Sequence, residues 1–68
     1  MKININKIES CLDDNKQVSI EDENCYICSI KNKSEFVSTT IEDNVATISD
    51  EDLECGDSVD IWYYSLIQ

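Results

Sequence analysis

Two hydrophobic periods run along the chain, one helical and one of strand type. Ile5, Ile8 and Leu12 fall at i, i+3 and i+7, a single stripe of two to three turns. Asn4 stands where it can cap such a helix, with Ile3 and Ile8 placed as a hydrophobic staple across the cap. Asp13-Asp14-Asn15 then breaks the stripe, and Asn15 suits a left-handed C-cap. The pattern predicts a helix over residues 5–14.

Beyond it the alternation is that of strands between acidic or Asn-containing turns. Val18 and Ile20 mark the first strand, and residues 21–24 (Glu-Asp-Glu-Asn) a polar turn. Residues 25–31 form the second, with Tyr26, Cys28 and Ile30 on one face. Asn32-Lys33-Ser34 turns the chain into residues 35–41, rich in β-branched Val37, Thr39, Thr40 and Ile41. Glu42-Asp43-Asn44 turns it again into residues 45–49. Ser49 followed by Asp50-Glu51-Asp52 has the form of a capping box, opening one short helical turn anchored by Leu53. Gly56, the single glycine, supplies the corner before a last strand over residues 58–66. The expected architecture is a single α+β domain over residues 1–68, one N-terminal helix packed on a four- to five-stranded antiparallel sheet. A small SH3-like barrel with an added N-terminal helix is the alternative.

Sixty-eight residues, 41% hydrophobic and 29% charged, lie in the globular range. A domain this small buries only about 60% of its unfolded surface, so its core is thin. The longest apolar-rich stretch, residues 61–67, falls short of the roughly 20 residues that span a bilayer, and the N-terminus has no apolar run of secretory length. A soluble protein of the cytoplasm is expected. Abundant Ile, Asn and Lys with no Arg or Pro is a composition associated with AT-rich genomes of bacteria and their phages.

Charge sharpens the picture. The net charge is −10, and residues 34–68 hold nine acids and no Lys or Arg, while residues 1–33 hold five Lys and six acids. Direct binding to nucleic acid or to an anionic membrane is disfavoured, because phosphate affinity comes from Lys and Arg. The absence of His leaves any Ser or Cys nucleophile without its usual base, and one glycine excludes a Gly-rich phosphate loop. No catalytic residues and no cofactor are expected.

Four cysteines, Cys11, Cys25, Cys28 and Cys55, include one Cys-x-x-Cys pair. A zinc site would help so small a core. Against it, the pair lies in a strand-like stretch that points its members to opposite faces, and no second pair follows. Free core thiols in a reducing compartment are expected. Asp50, Asp52 and Glu54 have calcium-loop spacing, but Cys55 and Ile61 stand where that loop needs Gly and a bidentate Glu. No metal site is assigned.

What remains is the acidic strip. Asp50, Glu51, Asp52, Glu54, Asp57 and Asp60 place six acids in eleven residues, with Glu42 and Asp43 one strand earlier. The bland account is a solvated face that keeps the protein soluble. Two details favour an interface: no Lys is interspersed after Lys33, and the strip leads directly into Ile61-Trp62-Tyr63-Tyr64. Period-two alternation puts Val59, Ile61 and Tyr63 on one face and Asp60, Trp62 and Tyr64 on the other. Rings supply buried area at an interface and carboxylates supply steering. The rival account makes Trp62 the core anchor of a bulged strand.

In Glu42-Asp43 and residues 50–60 the chain resembles the small acidic phage proteins that mimic DNA, including many anti-CRISPR inhibitors. The likeness is one of size and charge rather than of motif. It implies a mechanism in which spaced carboxylates replace phosphates in the basic groove of a nucleic-acid-binding protein, such as a host nuclease or effector complex. Glu42, Asp43, Asp50, Glu51, Asp52, Glu54, Asp57 and Asp60 would then carry the charge and Trp62 or Tyr64 the anchoring area. The alternatives are an immunity or antitoxin protein neutralising a basic toxin, a Cys-based metal-binding module, and a homodimer paired through its C-terminal strand.

Overall fold

The protein, described by a computed structural model over residues 2–67, is all-β. Its strands are β1 (Lys2–Cys11), β2 (Gln17–Ser19), β3 (Cys25–Asn32), β4 (Glu35–Phe36), β5 (Thr39–Glu42), β6 (Val45–Ile48) and β7 (Ser58–Ile67). They form two antiparallel sheets, one ordered β1-β7-β3-β4 and the other β2-β6-β5. There is no helix among the described residues, and so none long and apolar enough to cross a membrane.

The α+β expectation is therefore overturned, as is the added helix of its barrel alternative. The expected helix is β1, which pairs with β7 over its whole length, from Lys2 opposite Ile67 to Cys11 opposite Ser58. Two local facts explain the outcome. Ile-Asn-Ile-Asn over residues 3–6 alternates with period two, and neither β-branched Ile nor Asn favours a helix. A helix of ten residues is also marginal by itself, whereas the ladder to β7 satisfies the same backbone groups. The match of Ile5, Ile8 and Leu12 to a helical stripe is coincidental; only Leu12 is buried, and Ile5 and Ile8 are exposed.

The turns follow their chemistry closely. Lys33-Ser34 and Asp43-Asn44 both have positive φ at each residue, closing two-residue hairpins between Asn32 and Glu35 and between Glu42 and Val45. Between them the single strand expected over residues 35–41 is broken. The chain leaves the first sheet after Phe36 and joins the second at Thr39, with Val37 N–H held by the Ile30 carbonyl at 3.1 Å. The corner at Gly56 has φ +89°, and its N–H donates to Leu12 O at 2.8 Å.

The core lies between the sheets: Leu12, Val18, Ile27, Ile30, Ala46, Ile48, Leu53, Val59 and Ile61, with Ile20, Val37 and Tyr63 packed on its margin. The face of β7 bearing Val59, Ile61 and Tyr63 thus looks onto the second sheet rather than a helix. A register shift between Ile27 and Ser29 sets Cys28 apart in β3. This bulge brings both Ile27 and Ile30 inward, so Tyr26, Cys28 and Ile30 do not share a face as alternation predicts; Tyr26 and Cys28 are exposed and Ile30 is buried.

Candidate functional site

On the first sheet, the face turned away from the core is set by the register. Ile3 lies opposite Leu66, Ile5 opposite Tyr64, Lys7 opposite Trp62 and Glu9 opposite Asp60; on the other side of β7, Tyr64 faces Tyr26 and Asp60 faces Lys31. Trp62 and Tyr64 therefore stand on the outer face, each half-buried by its neighbours. The rings of Tyr64 and Tyr26 stack with centroids 5.2 Å apart and planes 25° from parallel. Phe36 adds the most exposed large apolar side chain among the described residues, at 76%.

Trp62 is not free to receive a cation. Lys7 Nζ lies 5.8 Å and Lys31 Nζ 5.1 Å from its ring centroid, and Lys31 also lies 4.6 Å from that of Phe36. The half of the sequence lacking Lys thus folds against lysines from the other half. Asp60 shares a groove with Glu9, Lys31 and Lys33, and Asp52 and Asp57 share another with Asn32, Lys33 and Leu53.

The remaining acids fall into two places. Glu42 and Asp43 are exposed at the β5–β6 hairpin. Asp43, Asn44, Ile41, Ile27, Tyr26 and Tyr64 line an open groove of about 530 Å³, which thus holds one carboxylate and the tyrosine stack among its walls. The groove owes its shape to Asn44. In its positive-φ conformation, its side-chain amide donates to Cys25 O at 2.7 Å and accepts from Ile27 N–H at 3.2 Å. The hairpin is thereby latched to β3 of the opposite sheet.

Asp50, Glu51, Asp52, Glu54 and Asp57 sit in the crossover that leads into β7. Ser58 and Tyr64 are six residues apart on that strand, so this crossover and the Asp43 groove are separated by about 20 Å. The structure does not gather the acids into one patch. Nor does the crossover contain the expected helical turn. Ser49 donates its hydroxyl to Ser38 O (3.1 Å) instead of capping, and the Asp50 carboxylate accepts from Asp52 N–H (2.9 Å). The Asp57 carboxylate accepts from Glu54 N–H at 2.9 Å, and Lys16 Nζ donates to Asp50 O at 2.8 Å. Asp50 and Asp57 accordingly hold the crossover in shape, with Leu53 buried beneath, while Glu51, Asp52 and Glu54 project into solvent.

No protein-family model matches the chain, nor does any curated protein or any solved structure. The site must be judged on its own geometry, and several of its residues carry no signal in the sequence. Tyr26 reads there only as sharing a strand face with Cys28 and Ile30, and Lys7 and Lys31 reach Trp62 only through pairing across the sheet. Asn44 reads as an ordinary turn residue; its second role depends on a contact 19 positions away in sequence.

The cysteines carry free thiols, but three of the four, Cys11, Cys28 and Cys55, are exposed and only Cys25 is buried. The expectation that they are core residues holds for Cys25 alone. No group of three or more His, Cys, Asp and Glu side chains converges to hold a metal among the described residues. Burial pushes the Cys25 thiol above its ordinary value of 9.0, and the charge and hydrogen bonding of Asp22 push in the same direction. A thiol raised in the folded state stabilises the fold below its ordinary value, and that contribution is lost as pH climbs through the raised one. Three thiols are therefore expected to react at once with a disulfide reagent under native conditions and the fourth only on unfolding. The alkaline loss of stability should be shallower in Cys25→Val. Cys25 reacting as fast as Cys28 would contradict this.

Proposed function

We propose that the protein is a binding protein that occupies a basic surface of a partner, the nucleic-acid-binding surface of a nuclease or effector, and excludes the nucleic acid from it. The observation that carries this reading is the open groove lined by both Asp43 and the stacked Tyr26 and Tyr64. A carboxylate next to a π-face suits a guanidinium, which can pair with the one and lie over the other. The exposed carboxylates of Glu51, Asp52 and Glu54, about 20 Å away along β7, supply a second anionic point on the scale of several phosphate spacings. Trp62, with its ring already flanked by Lys7 and Lys31, serves as a rigid apolar support, and Tyr64 takes the anchoring part.

The test begins with capture of a partner from the source lysate and proceeds to its purified form. Duplex DNA should compete with the protein for that partner. Binding should weaken steeply as salt rises from about 50 to about 500 mM. Asp43→Asn combined with Tyr64→Ala should weaken binding about a hundredfold, the scale of losing one charged pair and one aromatic anchor. Affinity that does not respond to salt, or a partner that holds DNA and this protein together, would overturn the proposal.

A further inference from the structure

β1 is an edge strand: β7 pairs with one side of it, and the sheet order places nothing on the other. The other edge strands are short, of two residues in β4, three in β2 and four in β5, against ten in β1. The side of β3 that β4 leaves unpaired is covered by Asn44 at Cys25 and Ile27 and by Val37 at Ile30. Long open edges are templates for pairing, which proteins ordinarily blunt with proline, bulges or charged side chains, Lys above all. β1 has no proline, its register with β7 runs unbroken from end to end, and on its outer face the charges, Lys7 and Glu9, are confined to the second half. Exposed apolar side chains stand on both of its faces. Ile3 and Ile5 are 61% and 59% exposed on the outer face, and Ile8, on the inner face opposite Ile61, is 49% exposed because the second sheet does not reach it.

The backbone pattern shows which groups are available. Leu12, which continues the strand, donates to Asp57 O and accepts from Gly56 N–H, both on the β7 side. By the alternation of an antiparallel ladder, even-numbered residues of β1 bond to β7, and Ile3, Ile5, Lys7 and Glu9 direct their N–H and C=O toward the open edge. Charge then selects the occupant. In a protein of net charge −10, residues 1–8 hold two Lys and no acid. This is the one long edge at which two copies can approach without setting carboxylates against each other, and it is ill-suited to a basic partner.

We propose that β1 pairs antiparallel with β1 of a second copy, joining two four-stranded sheets into one of eight strands. A two-fold axis through Ile5 sets the two Ile5 residues against each other and Ile3 against Lys7. It overlaps residues 2–8 of both copies and so leaves Glu9 beyond any acidic neighbour. The outer faces carrying Tyr64 and Trp62 become continuous across the axis. This pairing is independent of the proposed function and uses a different surface.

Sedimentation equilibrium in reducing buffer tests it, since reductant removes any dimer linked through the exposed thiols. The chain is expected to reach twice its mass with rising concentration. Its dimer dissociation constant should tighten about tenfold as ionic strength rises from about 0.01 to about 1 M, because screening relieves the repulsion of two acidic bodies. That response is opposite in sign to the one expected for partner binding, so either idea can fail alone. Ile5→Pro removes an outward N–H without touching the ladder to β7 and should leave a folded monomer. Ile5→Glu sets like charges across the axis and should also be monomeric at low salt, which decides the matter if the proline variant unfolds. A monomer at every concentration up to about 1 mM in both salts, or a dimer equally tight in the folded variants, would overturn the proposal.

Discussion

Ile61→Ala is expected to cost about 3–4 kcal/mol of folding stability, enough to leave a domain of this size mostly unfolded. Ile61 is 1% exposed and sits mid-way along β7, opposite Ile8 on one neighbouring strand and Ile30 on the other. Its side chain is surrounded by the cluster that joins the two sheets, so truncation leaves a cavity that no single neighbour can fill. The reserve against such a loss is small, because only ten apolar side chains are buried among the described residues of this 68-residue chain. Ile8→Ala is the matching control. It removes the same atoms from the same ladder on the same face, yet Ile8 is 49% exposed and its loss should cost under about 1 kcal/mol. Urea unfolding of the two variants distinguishes burial from strand propensity: similar losses would mean that the core does not lie where the two sheets meet.

Asn44→Ala should have the next largest effect, about 3 kcal/mol, from two separable causes. One is the amide latch, whose removal strips a bond from both Cys25 O and Ile27 N–H. The other is a backbone at φ 61°, which costs alanine roughly 1–2 kcal/mol more than glycine. Asn44→Gly keeps the turn and loses only the latch, so it should recover about half of the loss. Asn44→Asp retains an acceptor for Ile27 N–H but presents a carboxylate to Cys25 O, and should fall nearer to alanine. Thermal melts of the three would rank them, and a glycine variant no better than alanine would show the turn to be unstrained. Partner binding should weaken in the order of stability, since the latch holds the hairpin that carries Asp43 to β3, the strand that carries Tyr26.

Much of the strand structure could be read from the chain, because strand period, β-branched residues and turn positions agree over residues 17–34, 39–48 and 58–67, apart from the bulge at Cys28. Lys33-Ser34 and Asp43-Asn44 were visible as turns for local reasons. The helix expected over residues 5–14 was a misreading because a helical stripe of three residues competed with an alternation of four, and the partner that decided between them lies at the far end of the sequence. Two sheets rather than one followed from the break after Phe36, where no proline or glycine marks the corner. For the candidate site, period two within β7 puts Trp62 and Tyr64 on one face, but which face looks outward is decided only by the second sheet packing on Val59 and Ile61. The lysines around Trp62, the stacking of Tyr26 and the separation of the acids into two places all depend on pairing between strands, which leaves no local trace.

The position of β7 has a consequence for how the molecule forms. It is the middle strand of the first sheet, with β1 on one flank and β3 on the other, and it contributes Val59 and Ile61 to the core. During synthesis its residues emerge after every other strand. Until then β1 and β3 have no partner between them, and β1 in particular has none at all in its own sheet. The ribosome-bound chain can therefore close its hairpins at residues 33–34 and 43–44 and pair β2 with β6, but the first sheet cannot form. That sheet must wait for residues 58–67 and then close through contacts nearly the length of the chain apart, which is a slow class of topology. The ordered sequence of events is hairpins first and the central strand last, inserted between two waiting edges.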